Sequence, residues 1–356
     1  MDEKHLLQDF DEHVGRYTSF VEKLRTLIID LLGRSMAVHS VTCRAKDRKS
    51  FLTKVERAKG RYEAIEDVTD IAGVRIITYF ADDVDRVAEV IRDEFVIDAD
   101  NSVDKRDLLD PDRFGYLSLH YVVTLNPARV SLGEYRRYTG MKAEIQIRSI
   151  LQHAWAEIEH DLGYKTVLGV PKEVRRQFSR LAGLLEIADK EFTSIRQELN
   201  TYETRLPSRI EQTPEEVLID KSSFKAFLIA SNTLRSLDQK IAKFAGGGIS
   251  EMNEISYEHD VAALHDVGLT TIAQLESALC EREEFILKFA QDWLEGTTAG
   301  VGQGVSLLYL GYVLLGEAGD IGRIIKYLAD NNIGGKDRHA DTAKRVLETY
   351  AKIKEG

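Results

Sequence analysis

At 356 residues and 43% hydrophobic content the chain can bury two ordinary cores, and a formal net charge of -11 argues against wholesale wrapping of nucleic acid. Cys43 and Cys280 are the only cysteines and lack a metal-type spacing, which excludes a disulfide framework or a cysteine zinc site and fits a reducing cytoplasm. The start, Met1-Asp2-Glu3-Lys4-His5, has no secretory-signal design, and the most apolar run, 305–316, falls short of the about 20 apolar residues that span a bilayer, so no membrane partner is expected.

In chain order, Leu6, Phe10, Val14, Phe20, Leu24, Ile28 and Leu31 recur at helical spacing, predicting an amphipathic helix over 5–32 that ends near Gly33. A basic segment follows and reads as helical from about Ser50. Residues 73–80 (GVRIITYF) are β-branched and aromatic, predicting a strand buried on both faces, and 84–95 has the period of a helix. Further strands are predicted at 118–125 and 141–148, with Glu144, Gln146 and Arg148 sharing one face of the second by period two. A helix at 151–162 follows, then a long helix at 171–202 begun by Pro171. Beyond about 213 the pattern is helical patches broken by Gly246-Gly247-Gly248 and a Gly-rich stretch at 296–304, with no strand signal. The expected organisation is an N-terminal helix (1–39), an α/β domain with its trailing helix (40–205) and a helical accessory or regulatory domain (213–356).

Five groups of residues bear chemistry. Arg44, Lys46, Ser50, Lys54 and Arg57 place cations and a hydroxyl around a helix start, an array that suits a polyphosphate and that a solvated charged face would also produce. Asp70 and Arg75 flank an apolar strand, where an unpaired charge costs several kcal/mol; a metal ligand or a plain Asp–Arg ion pair each accounts for them. Glu144, Gln146 and Arg148 supply a carboxylate and a cation, as phosphoryl transfer requires, although a solvent-facing strand reads the same way. Tyr116, Ser118 and His120 lie on one side of a strand after Gly115, where an aromatic could stack on a base or simply fill core. His153, Glu157 and His160 share a helix face, but a dedicated zinc or iron site lacks supporting ligands.

Their order and spacing over about 40–166 resemble the synthetase domain of RelA/SpoT alarmone enzymes, particularly the small stand-alone synthetases of the GTP pyrophosphokinase family. The carriers are Arg44-x-Lys46-x₃-Ser50-x₃-Lys54-x₂-Arg57, Asp70-x-x-Gly73-x-Arg75, Gly115-Tyr116-x-Ser118-x-His120 and Glu144-Ile145-Gln146-Ile147-Arg148 with Trp155-Ala156 and His160, followed by Tyr164-Lys165. The resemblance implies a nucleotidyltransferase-like mixed β-sheet flanked by helices, an α/β (α+β) fold, before the helical C-terminal part. It implies Arg44 and Arg75 around adenine, Lys46, Ser50, Lys54 and Arg57 on the ATP phosphates, and Asp70 and Glu144 on Mg²⁺ as the catalytic pair. Glu144 would also orient or deprotonate the acceptor hydroxyl; Tyr116, His120, Gln146, Arg148, His153 and His160 would serve the acceptor side.

Departures cluster on that acceptor side: Arg113-Phe114 precede Gly115, Leu117 stands at a commonly basic position, Ser149 replaces a usual threonine, and His153 stands where a guanine-contacting Asn is common. About 40 residues precede the domain and His259-Asp260 and His265-Asp266 lack the hydrolase pattern, so a synthesis-only enzyme is expected. The expected partners are ATP and a guanine nucleotide, giving (p)ppGpp. A toxin-like relative acting on the 3′ CCA end of tRNA and a non-catalytic nucleotide-binding module are the alternatives. Self-association through the long helix stays open.

Overall fold

The computed structural model describes residues 3–33, 36–58, 60–106, 115, 117–162, 171–251, 254–295 and 300–355. Contacts divide the chain into two compact units, Met1–Gln197 and Glu198–Gly356. The division falls inside the long helix Lys172–Gln212.

The first unit is built on a mixed sheet of β1 (Val38–Ala45), β2 (Ala72–Thr78), β3 (Phe95–Asp104), β4 (Leu119–Leu125) and β5 (Ala143–Ser149), in the order β1-β2-β5-β4-β3. The central pair β2–β5 is parallel and the other pairs are antiparallel. Helices α1 (Glu3–Leu32), α2 (Arg48–Ala58), α3 (Asp83–Glu94), α4 (Pro127–Val130), α5 (Ile150–Asp161) and α6 (Lys172–Gln212) complete the connections.

The fold class agrees with the expectation, but four local readings change. Helix α1 does not stand apart: Phe10, Phe20, Leu24 and Ile28 are fully buried in one core with Val74, Ile76, Ile145 and Ile147 of the sheet. Two strands escape periodicity. β1 and β3 are the sheet edges, and an edge strand buries little; β1 has one buried residue, Val41, and β3 runs through the polar stretch Asp98-Ala99-Asp100-Asn101-Ser102. Finally β2, read as buried on both faces, leaves Gly73 and Arg75 half-buried on one side. That side carries the site described below.

The second unit is helical, with α7 (Lys221–Ala230), α8 (Asn232–Ala245), α9 (Glu254–Asp266), α10 (Ile272–Glu281), α11 (Glu283–Leu294), α12 (Val305–Ala318), α13 (Ile321–Asp330) and α14 (His339–Glu355). The apolar run at 305–316 is α12 in the interior of this unit, with Leu310 and Val313 fully buried. Two short strands that the sequence did not signal, β6 (Ile249–Ser250) and β7 (Val301–Gly302), pair in parallel. Among the described residues no helix is long and apolar enough to cross a membrane.

Candidate active site

The parallel pair β2–β5 sets Gly73 beside Glu144, Arg75 beside Gln146 and Ile77 beside Arg148. Because side chains alternate along a strand, Val74, Ile76, Ile145 and Ile147 turn to the core while Arg75, Glu144 and Gln146 turn the other way. The result is a cleft of about 150 Å³ lined by Arg44, Lys46, Asp70, Arg75, Glu144 and Gln146, with Thr42, Cys43, Gly73 and Val74. A second cleft of about 430 Å³ is lined by Arg44, Arg75, Lys105, His120, Gln146, Arg148, Ala156, Glu157, Glu159 and His160. The two share Arg44, Arg75 and Gln146, so the clefts adjoin along those residues.

Asp70 lies in the turn before β2. Its Oδ2 pairs with Lys54 Nζ at 2.7 Å and Lys46 Nζ at 3.1 Å, while its Oδ1 is buried with no hydrogen-bond partner among the described residues. The Asp70–Arg75 ion pair that the sequence allowed does not form; Arg75 Nη1 instead donates to Glu157 Oε1 at 2.9 Å.

Glu144 is fixed through both oxygens. His120 Nδ1 donates to Oε1 at 2.9 Å, Gln146 Nε2 donates to Oε2 at 2.9 Å, and His120 Nε2 lies 2.7 Å from Ser118 Oγ. Burial pushes the Glu144 carboxyl up. The hydrogen bond and charge of His120, the Gln146 amide and the Lys54 charge together outweigh it and hold the pKa down at about 2. Glu144 is therefore an anion at neutral pH.

A hard divalent cation prefers oxygen donors and, in the case of Mg²⁺, keeps several waters beside one or two carboxylates. An ionised Glu144 and a buried, partnerless Asp70 oxygen in one cleft suit such an ion. No group of three or more His, Cys, Asp or Glu suited to a metal occurs among the described residues, so the remaining coordination would fall to water and phosphate oxygens.

Not every residue singled out from the sequence reaches the clefts. Ser50 is exposed and its N–H and hydroxyl both bond to Asp47, at 2.9 and 2.6 Å, so the start of α2 is capped by its own chain instead of standing open to phosphate. Those two hydrogen bonds, hydroxyl first, hold the Asp47 carboxyl below the usual range. Arg57 is exposed on α2 and lines neither cleft, whereas Lys54 joins through Asp70. His153 lines neither cleft as well: it lies half-buried on α5, one turn before Glu157, with Nδ1 3.8 Å from Glu157 Oε1, and burial first, then the Arg148 charge, lower its pKa. Arg148 is buried and its Nη2 reaches Glu157 Oε1 at 3.3 Å. Tyr116 falls outside the described residues, as do Arg113-Phe114 and Tyr164-Lys165. Ser149 caps α5 by accepting from Gln152 N–H, and its hydroxyl donates to buried Asp189 at 2.7 Å.

Glu157, Lys105 and Asp47 were not anticipated in these places. The i,i+4 and i,i+3 spacing of Glu157 with His153 and His160 points to metal binding and carries no sign of its reach to the arginines of two strands.

Comparison with known proteins gives a consistent result. A family described as the region found in RelA / SpoT proteins matches residues 43–168. GTP pyrophosphokinase YjbM of Bacillus subtilis (strain 168) is 35% identical over 165 residues, covering 46% of this chain and 74% of that protein. GTP pyrophosphokinase YwaC of the same organism is 32% identical over 162 residues, covering 44% and 73%. Among solved structures, the Bacillus subtilis small alarmone synthetase 1 bound to its product pppGpp is 29% identical with a TM-score of 0.45, covering 55% of this chain and 99% of that one.

Proposed function

Because the chain belongs to the RelA/SpoT family of GTP pyrophosphokinases, a family of transferases, we propose that it moves the β,γ-pyrophosphate of ATP to the 3′-hydroxyl of GDP or GTP, making (p)ppGpp. The observation that carries this reading is one cleft in which an ionised Glu144 and a half-satisfied Asp70 lie among Arg44, Lys46 and Arg75, directly beside a larger cleft lined by His120, Gln146 and Arg148.

In this reading the smaller cleft takes the ATP phosphates and the larger one the acceptor. The bond from the acceptor 3′-oxygen to the β-phosphorus forms, the bond from that phosphorus to the oxygen bridging toward the α-phosphorus breaks, AMP leaves with that oxygen, and the hydroxyl proton is released. Lys46 and Lys54, now on Asp70, and the guanidinium groups of Arg44 and Arg75 offset charge on the transferring group. A carboxylate with a pKa near 2 is a weak proton acceptor. Glu144 therefore orients the hydroxyl more than it deprotonates it, and His120 keeps its carboxylate turned into the cleft. Mg²⁺ held by Asp70 and Glu144 would neutralise phosphate charge when bound.

The test incubates the purified chain with γ-labelled ATP and, separately, GDP, GTP, ATP or bulk tRNA. Label on a guanine nucleotide with matching AMP release is expected. Label on tRNA alone overturns the acceptor assignment, and no transfer to any acceptor overturns the enzymatic reading.

A further inference from the structure

We propose that Glu157 is a positioning residue that aims Arg75 at the donor nucleotide by holding it, together with Arg148, on a single carboxylate oxygen; this rests on the reading of the two clefts given above. Arg75 on β2 and Arg148 on β5 project on neighbouring parallel strands, offset by two positions, since Arg75 lies beside Gln146. Two guanidinium groups so close repel each other unless an anion bridges them. Glu157 Oε1 accepts from Arg75 Nη1 at 2.9 Å and lies 3.3 Å from Arg148 Nη2. Among the described residues it is the one carboxylate in ion-pair reach of Arg75.

An anchor of α5 to the sheet would leave the same contacts, but α5 is held by other means. Trp155 packs edge-on against Phe178 in a small core with Ala182, and Ser149 ties the helix start to Asp189. The Glu157 side chain is 52% exposed at the larger cleft while Arg148 is 3% exposed beneath it. Half-exposed and charged, Glu157 contributes direction rather than core packing. Arg75 lines both clefts, so a guanidinium left free to swing loses contact with a nucleotide base or phosphate in the smaller one. A charge-assisted hydrogen bond at a half-exposed site, discounted for solvent screening, corresponds to about tenfold in affinity.

The experiment uses the full chain, unmutated and as Glu157→Ala, Glu157→Gln, Arg75→Ala and the Glu157→Ala/Arg75→Ala double variant. Calorimetry measures binding of AMPCPP, the methylene analogue of ATP, and the transfer assay measures KM for ATP and kcat. Glu157→Ala is expected to weaken AMPCPP and raise KM about tenfold with kcat changed less than about threefold, because positioning acts on binding. Glu157→Gln keeps an acceptor oxygen and should lose about threefold, and it carries the test by the same criterion if the alanine variant unfolds. In the Arg75→Ala background, Glu157→Ala should cost nothing further, a non-additivity that an independent structural contact does not produce. Multiplicative losses in the double variant overturn the proposal. So does AMPCPP binding by Glu157→Ala within about twofold of the unmutated chain. An unmutated chain that fails to bind AMPCPP overturns the donor-site reading and this proposal together, whereas normal binding there with an unaffected Glu157→Ala overturns the positioning role alone.

Discussion

Replacing Glu144 by glutamine separates the charge of this side chain from its shape. Moving a carboxyl from its ordinary 4.5 to about 2 corresponds to roughly 3 kcal/mol of folding stability at neutral pH, at about 1.4 kcal/mol per tenfold in proton affinity. Because the folded-state pKa is depressed, this contribution is present above about pH 4.5 and is lost as pH falls through about 2. Glu144→Gln lacks it at every pH. The gap between the two proteins should therefore be widest at neutral pH, at most roughly 3 kcal/mol, and shrink to roughly 1 kcal/mol by about pH 3. Urea unfolding of the first unit reads it through Trp155, buried against Phe178, in a Trp293→Phe background that removes the second unit's only tryptophan. At pH 7 the same variant should transfer pyrophosphate about a hundredfold to a thousandfold more slowly, since a charge aimed at the reacting centre is gone while the fold persists. Wild-type turnover in Glu144→Gln refutes the assignment of this carboxylate to the reaction. A stability gap that stays constant from pH 7 to pH 3 refutes the electrostatic account of His120, Gln146 and Lys54 around it.

Asp70→Asn should lose transfer to a similar degree, and chelation with EDTA should stop transfer by the unmutated chain until Mg²⁺ is restored; label transfer that persists in EDTA argues against a divalent ion at these carboxylates. Ser149→Ala removes both the α5 cap and the hydroxyl on buried Asp189, and should destabilise the first unit by about 1–3 kcal/mol in the Trp155-monitored transition. In the second unit, a Cβ at Gly316 would lie 2.7 Å from Cβ of Tyr350. Gly316→Ala should therefore cost about 1–3 kcal/mol by overpacking, followed through Trp293 in a Trp155→Phe background.

Helical and strand periodicity made most elements of the first unit legible: the predicted helices at 5–32, 84–95 and 151–162 correspond to α1, α3 and α5, and the predicted strands at 118–125 and 141–148 to β4 and β5. The edge strands β1 and β3 were not, because a strand with one exposed edge and little burial has no constraint to alternate. Charge counting along 44–57 found a basic segment but could not tell that Lys46 and Lys54 turn to Asp70 while Ser50 turns to Asp47. A helix-surface residue looks alike in sequence whether it faces a cleft or water.

Local sequence thus determined which residue types stand on which face of a strand or helix, because backbone geometry repeats every two or 3.6 residues. It also carried the ordered motifs by which the family can be identified. Partner choice between distant residues belonged to the tertiary structure. Arg75 meets Glu157 across 82 positions of chain, and Glu144 meets His120 across 24, only because strand register and helix docking bring them together. Those alignments are set by the joint burial of α1 and the sheet, a sum over many side chains that no short segment encodes.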